Sequence, residues 1–258
     1  MTLAELLISM VILSLMCVVM AGMSHAVNSA WEYTKGVDGS EQQASATLDR
    51  IKYMVGQTGT YRVTGQPTRL GMAVIERSID STTVPDVLVL WTGGQNGGMA
   101  ALGLQARLPV ASELLVYTWS EKSPSHFLEI TFPGDSTPMD FAASDFPTKV
   151  STLLTSTTAE RVTLCEKLRV NSKLPIGNSR FAIAWAPTDA ELTATTPQTS
   201  AWLQLNWPQG AVGSLSGMRQ ATLSVELQIE PDGVTATNGD VSAIPFFGSA
   251  SVRYVYQP

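Results

Sequence analysis

Residues 1–31 read MTLAELLISMVILSLMCVVMAGMSHAVNSAW. Glu5 is the one formal charge among them, and the next acidic or basic residue is Glu32. The 26 residues 6–31 therefore hold no Lys, Arg, Asp or Glu. A helix of that length reaches roughly 39 Å, more than the ~30 Å hydrocarbon core of a bilayer. Leu, Ile, Val, Met and Ala dominate, so the stretch suits a helix that is apolar on every side. A carboxylate at its start is the exception, because a charge in hydrocarbon is costly unless it has a partner or a task.

Residues 32–56 change character. Ala44, Leu48, Ile51 and Val55 recur at helical spacing and form a one-sided apolar stripe, with Glu41, Gln42, Asp49 and Arg50 on the other faces. This predicts the second half of one long helix, packed through its stripe on the remainder of the chain. Gly36 and Gly39 with Asp38 are positions where such a helix would bend or break, and Gly56 and Gly59 are its expected stop.

From residue 60 the pattern turns to short strands: 61–63, 72–76, 86–91, 113–119, 127–132, 161–170, 180–185, 201–205, 220–230 and 250–256. Residues 222–229 (TLSVELQI) alternate apolar with polar, the mark of an antiparallel strand with one wet face. Residues 86–91 (DVLVLW) are apolar on both faces and predict a central strand covered by the helix. In the last strand Val252, Tyr254 and Tyr256 share one face. Residues 147–158 read as a short helix and 186–200, rich in Thr, Ala and Pro, as a surface loop. The expected fold class is α+β: a long N-terminal helix against an antiparallel β-rich head. The expected organisation is 1–31 as a transmembrane or filament-core helix, 32–56 as its amphipathic continuation, and 57–258 as the head.

The start Thr2-Leu3-Ala4-Glu5-Leu6-Leu7, followed by Ile8, Val11, Ile12 and Leu13, resembles the mature N-terminus of type IV pilin-like proteins, the pilins and pseudopilins. Residue 1 is Met where that pattern usually has Phe, and residue 22 is Gly where many major pilins have Pro. The resemblance implies a leader cut off before residue 1 by a prepilin peptidase, and N-methylation of Met1. It implies a single-pass protein of the bacterial inner membrane, its head in the periplasm or on an extracellular filament. It also implies as partners other pilin or pseudopilin subunits, an assembly platform and membrane lipid. Leu3, Leu6, Leu7, Met10, Val11 and Leu13 would line a filament core, and the Met1 amine would pair with Glu5 between subunits and fix their register. A head of about 200 residues with few charges is most similar to the J-type minor pseudopilin of type II secretion, with a minor pilin of a type IV pilus the nearest alternative.

Composition narrows the rest. With 16 Lys and Arg against 22 Asp and Glu, and no basic run, nucleic acid is not an expected partner. The cysteines are Cys17, in the apolar stretch, and Cys165, too distant from a membrane-embedded Cys17 to pair with it. The histidines are His25 and His126, too few and too isolated for a metal centre or a hydrolase triad, and no cofactor is expected. The Gly-rich run 92–103 lacks the Gly-Lys-Ser/Thr ending of a phosphate loop. Asp135, Asp140 and Asp145, and Asp232, Asn238 and Asp240, carry oxygen ligands of the kind calcium uses, but without EF-hand spacing. They read as turn residues, with calcium the alternative. No enzymatic activity is expected. Trp202 and Trp207 read as core, or alternatively as an aromatic surface for glycan or protein. That surface would make the chain an adhesin or substrate-binding module on a pilin-like stem.

Overall fold

The computed structural model describes residues 3–79, 82–94, 97–171, 174–177, 179–231 and 243–258. Helix α1 runs without a break through Leu3–Gly56. The glycines at 36 and 39 do not interrupt it, which corrects the expected bend. The cost of glycine, about 1 kcal/mol each, is small beside the packing of the helix that contains them.

The head is built mainly of antiparallel sheet, so the fold is α+β. In chain order its strands begin with β1 (Thr60–Tyr61), β2 (Arg69–Leu70), β3 (Met72–Ile79), β4 (Thr82–Trp91) and β5 (Leu104–Gln105). β6 (Leu114–Trp119) and β7 (Phe127–Thr131) come next, then helix α2 (Phe146–Leu154) and β8 (Glu160–Cys165). A small hairpin, β9 (Val170–Asn171) and β10 (Leu174–Gly177), leads to β11 (Ser179–Ala186). Two short helices, α3 (Asp189–Ala194) and α4 (Ser200–Leu203), precede the long strands β12 (Gly217–Ile229) and β13 (Ile244–Tyr256). The segment expected as loop at 186–200 thus holds α3, and the strand expected at 201–205 is α4. Thr188 and Thr199 start these helices by accepting the amides of Glu191 and Trp202.

Two sheets carry the architecture, a five-stranded one in the order β3-β4-β6-β7-β8 and a three-stranded one in the order β11-β12-β13. β4 is buried on both faces, as its unbroken apolar run predicted. Leu88 and Leu90 join Leu115, Tyr117 and Phe127 in a core shared with α1 and with Leu223, Val225 and Leu227 of the second sheet. Val87 and Val89 face the other way, onto Val116, Ile130 and the α2 residues Phe146 and Val150. β12 alternates buried and wetter residues along its whole length. On β13, Val252, Tyr254 and Tyr256 do lie on the inner face. Between Ile75 and Glu76 the β3–β4 register slips, leaving Asp86 as an extra residue beside Pro85. Asp86 is fully buried and is held by Arg77 (3.0 Å to Nε, 2.8 Å to Nη2) and by the Trp119 indole N–H.

Candidate functional site

α1 behaves as two different helices joined end to end. From Leu3 to Lys35 every described side chain is exposed, and the first buried residue is Gly36. Of the residues read as filament-core positions, Leu3, Leu7, Met10, Val11 and Leu13 are 56–83 % exposed. Met1 lies outside the described residues, as do the side chains of Glu5 and Leu6. The apolar side chains point in all directions around the axis, including Ile12, Leu15, Met16, Val18, Val19 and Met20. An isolated water-soluble protein rarely leaves so much contiguous apolar surface bare. The helix is long and apolar enough to cross a bilayer once.

Polar groups in this half are handled locally. Ser14 donates its hydroxyl to the Val11 carbonyl (2.8 Å) and Thr34 to that of Ala30 (2.9 Å). Both bonds return a hydroxyl to its own helix, which lowers the cost of leaving water. Ser29 Oγ lies 3.4 Å from His25 Nδ1.

The second half is seated on the head. Ala44, Leu48, Ile51 and Val55 are buried, as their spacing predicted, and so are Ser40, Thr47 and Met54. The two polar members find partners: Ser40 donates to the Gly36 carbonyl (2.9 Å), Thr47 to the Leu164 carbonyl (3.3 Å). β13 comes close enough to the helix that a Cβ at Gly248 would meet Leu48 at 2.9 Å. The absence of a side chain at Gly248 is what permits that approach.

One ion pair pins the seat axially. Arg50 donates from Nε and Nη2 to the two carboxylate oxygens of Glu129 on β7, both at 2.9 Å, and the Tyr117 hydroxyl of β6 donates to the same carboxylate at 2.9 Å. Glu129 is only 4 % exposed. The bidentate bond raises the Arg50 pKa; burial, with the adjacent carboxylate, pushes the Tyr117 hydroxyl well above the ordinary phenol range. Sequence periodicity had left Arg50 among the solvent-facing residues of the helix. The missed signal was Glu129, a lone carboxylate in the strand Phe127-Leu128-Glu129-Ile130, whose burial requires a cation.

The other singled-out residues do not converge. Trp202 and Trp207 are 1 % and 6 % exposed, and their rings pack edge to face at 5.1 Å beneath Tyr256. They form a small core with Leu192, the first of the two sequence readings, and the alternative of an exposed aromatic surface does not fit their burial. The hydrophobic cost of exposing two indoles decides the matter.

In the Gly-rich run, the amides of Thr92, Gly93 and Gly94 all donate to the Glu113 carbonyl (2.9–3.2 Å), so they are committed within the head. Asp135 accepts the Thr137 amide, Asp140 the Tyr61 hydroxyl, and Asp145 pairs with Lys149. Asp232, Asn238 and Asp240 lie outside the described residues. Among the described residues no three His, Cys, Asp or Glu side chains gather as a metal site needs. Cys17 and Cys165 are both free. Cys165 is buried, and desolvation pushes its thiol up to about 12. Comparison with protein-family models, with curated proteins and with solved structures found no match.

Proposed function

We propose that this chain is a structural subunit of a pilin-like filament. Its apolar half-helix is held in a membrane before assembly and afterwards packs against the same helix of neighbouring subunits, with the heads outside. The observation that carries the reading is the contrast within α1: described side chains that are mainly apolar through Trp31 and exposed through Lys35, continuous with a half that is locked to the head. Such a surface needs a cover, and lipid and other apolar helices are the two covers compatible with an all-round stripe. The head offers a mount for the helix, with Ala44, Leu48, Ile51, Met54 and Val55 in its core.

Within this reading Glu5 sets register. A subunit at the correct axial offset brings its carboxylate to the terminal amine of a neighbour; at any other offset two charges stand unpaired in hydrocarbon. The membrane is the bacterial inner membrane and the apparatus a type II secretion system, with the chain a minor, J-type pseudopilin. A minor pilin of a type IV pilus is the alternative.

The test is made in the native host. The Glu5→Ala variant should insert into the membrane in wild-type amounts but be lost from sheared filaments or from cross-linked complexes with the other subunits. Mass spectrometry should find an N-methylated residue 1 at the mature terminus. Normal assembly of Glu5→Ala would remove the role given to Glu5, and an unmodified, longer terminus would remove the processing step.

A further inference from the structure

We propose that Trp31 and Lys35 form a phospholipid-headgroup site, which fixes the depth of α1 and the height of the head above the bilayer. The inference rests on the reading that α1 crosses a membrane. If Glu5 marks one boundary of the hydrocarbon, the 20 residues 6–25 cover its ~30 Å thickness, and Trp31 lies roughly 9 Å beyond the far boundary.

Helix side chains lean toward the N-terminus, so residues at this level reach back toward the membrane. Lys35 does so: its Nζ sits 5.6 Å from the centre of the Trp31 ring, one turn below its own backbone. The pair thereby places an indole and an ammonium in the same layer. That is the layer of ester carbonyls and phosphates, where an indole is favoured and an ammonium meets its counter-charge.

Two further observations leave this pair to the lipid. Trp31 is 66 % exposed, so the head does not cover it. Glu32 is one turn from Lys35, yet no ion pair joins them among the described residues, which leaves the ammonium available to a phosphate. Helical geometry also puts Trp31 and Lys35 largely on the side of α1 away from the buried stripe of Gly36, Ser40 and Ala44. The head begins at Gly36, about 8 Å above Trp31, and is therefore held just clear of the headgroups.

The full chain, reconstituted in vesicles of phosphatidylcholine and phosphatidylglycerol, tests this by tryptophan fluorescence. The phospholipids would carry bromine either near the headgroup end of the acyl chains or near their methyl end. Trp91, Trp119, Trp202 and Trp207 are buried in the head and Trp185 is half-buried, so the difference between wild type and Trp31→Phe isolates Trp31. The expected result is strong quenching of that difference signal by the shallow bromolipid, little by the deep one, and protection from aqueous acrylamide. Lys35→Glu should shift the signal toward acrylamide and away from the shallow lipid, and Lys35→Arg should not. Equal quenching of wild type and Trp31→Phe by the shallow lipid, with both floating on vesicles, overturns the proposal. Failure of the wild-type chain to float with vesicles overturns instead the membrane reading beneath it.

Discussion

At the scale of single residues, the ion pair between Arg50 and Glu129 ties the exposed helix to the head. The carboxylate is the partner that depends on the pair, because Glu129 is only 4 % exposed while Arg50 is 32 % exposed. Arg50→Met leaves the buried Glu129 carboxylate without its bidentate cation and should cost about 3 kcal/mol of head stability, read as a drop in the urea midpoint. A loss below about 1 kcal/mol would show that water reaches the site and the pair is a surface bridge.

A second carboxylate gives a pH signature. Glu113 accepts from Arg107, from the Trp91 indole (3.0 Å) and from the Val110 amide (3.3 Å), and Arg107 first among these holds its pKa below the usual 4.5. A carboxyl depressed in the folded state stabilises above its unfolded pKa and loses that contribution as pH falls through the folded value. Wild type should thus lose more stability between about pH 5 and pH 3 than Glu113→Gln, since the remaining carboxylates titrate alike in both. Parallel urea curves for the two proteins across that range would remove the assignment.

At the scale of elements, most of what the sequence offered was periodic. The stripe Ala44, Leu48, Ile51 and Val55 named the buried face of α1, and alternation along 222–229 named the two faces of β12. The double-sided run at 87–91 named β4 as the strand between two cores. What escaped was non-periodic or depended on distant partners. Ser40 and Thr47 read as polar and yet belong to the buried stripe, because each hydroxyl finds a backbone carbonyl. Short helices such as α4 give too few turns for a period to register, so its Trp was assigned to a strand. The inward turn of the half-buried Arg50 depends on a residue 79 positions away.

Glycine in α1 was over-read, since local propensity yields to packing. Gly39 is exposed with nothing within 4 Å of where a Cβ would be. Gly39→Ala should therefore raise stability by about 0.5–1 kcal/mol, seen as a higher melting temperature by circular dichroism. A fall would mean that the position makes a contact a methyl group disturbs. Gly217 is the contrast: a Cβ there would lie 2.4 Å from the Trp207 ring, so the same change at that site has no room.

At the scale of the whole molecule, α1 divides into a part that builds the head and a part that does not. The shared core takes Ala44, Leu48, Ile51, Met54 and Val55 from the helix, and among the described residues nothing before Gly36 is buried. Removing residues 1–30 therefore takes no described core side chain from the head, and should leave a chain that unfolds cooperatively and elutes as a soluble monomer without detergent. Removing residues 1–56 deletes five core side chains and strands Glu129, each loss of a large apolar group costing about 2–5 kcal/mol, more in sum than the ~5–15 kcal/mol that holds an ordinary domain. That shorter chain should be insoluble or molten, with dispersed amide signals lost. If it folded as well as the longer one, the second half of α1 would be a passenger on the head. The rigid link from a membrane-embedded helix to the outer face of a filament would then have no mechanical basis. If the 31–258 chain self-associated as strongly as the full chain, assembly would belong to the head, and the bare apolar half would serve membrane residence alone.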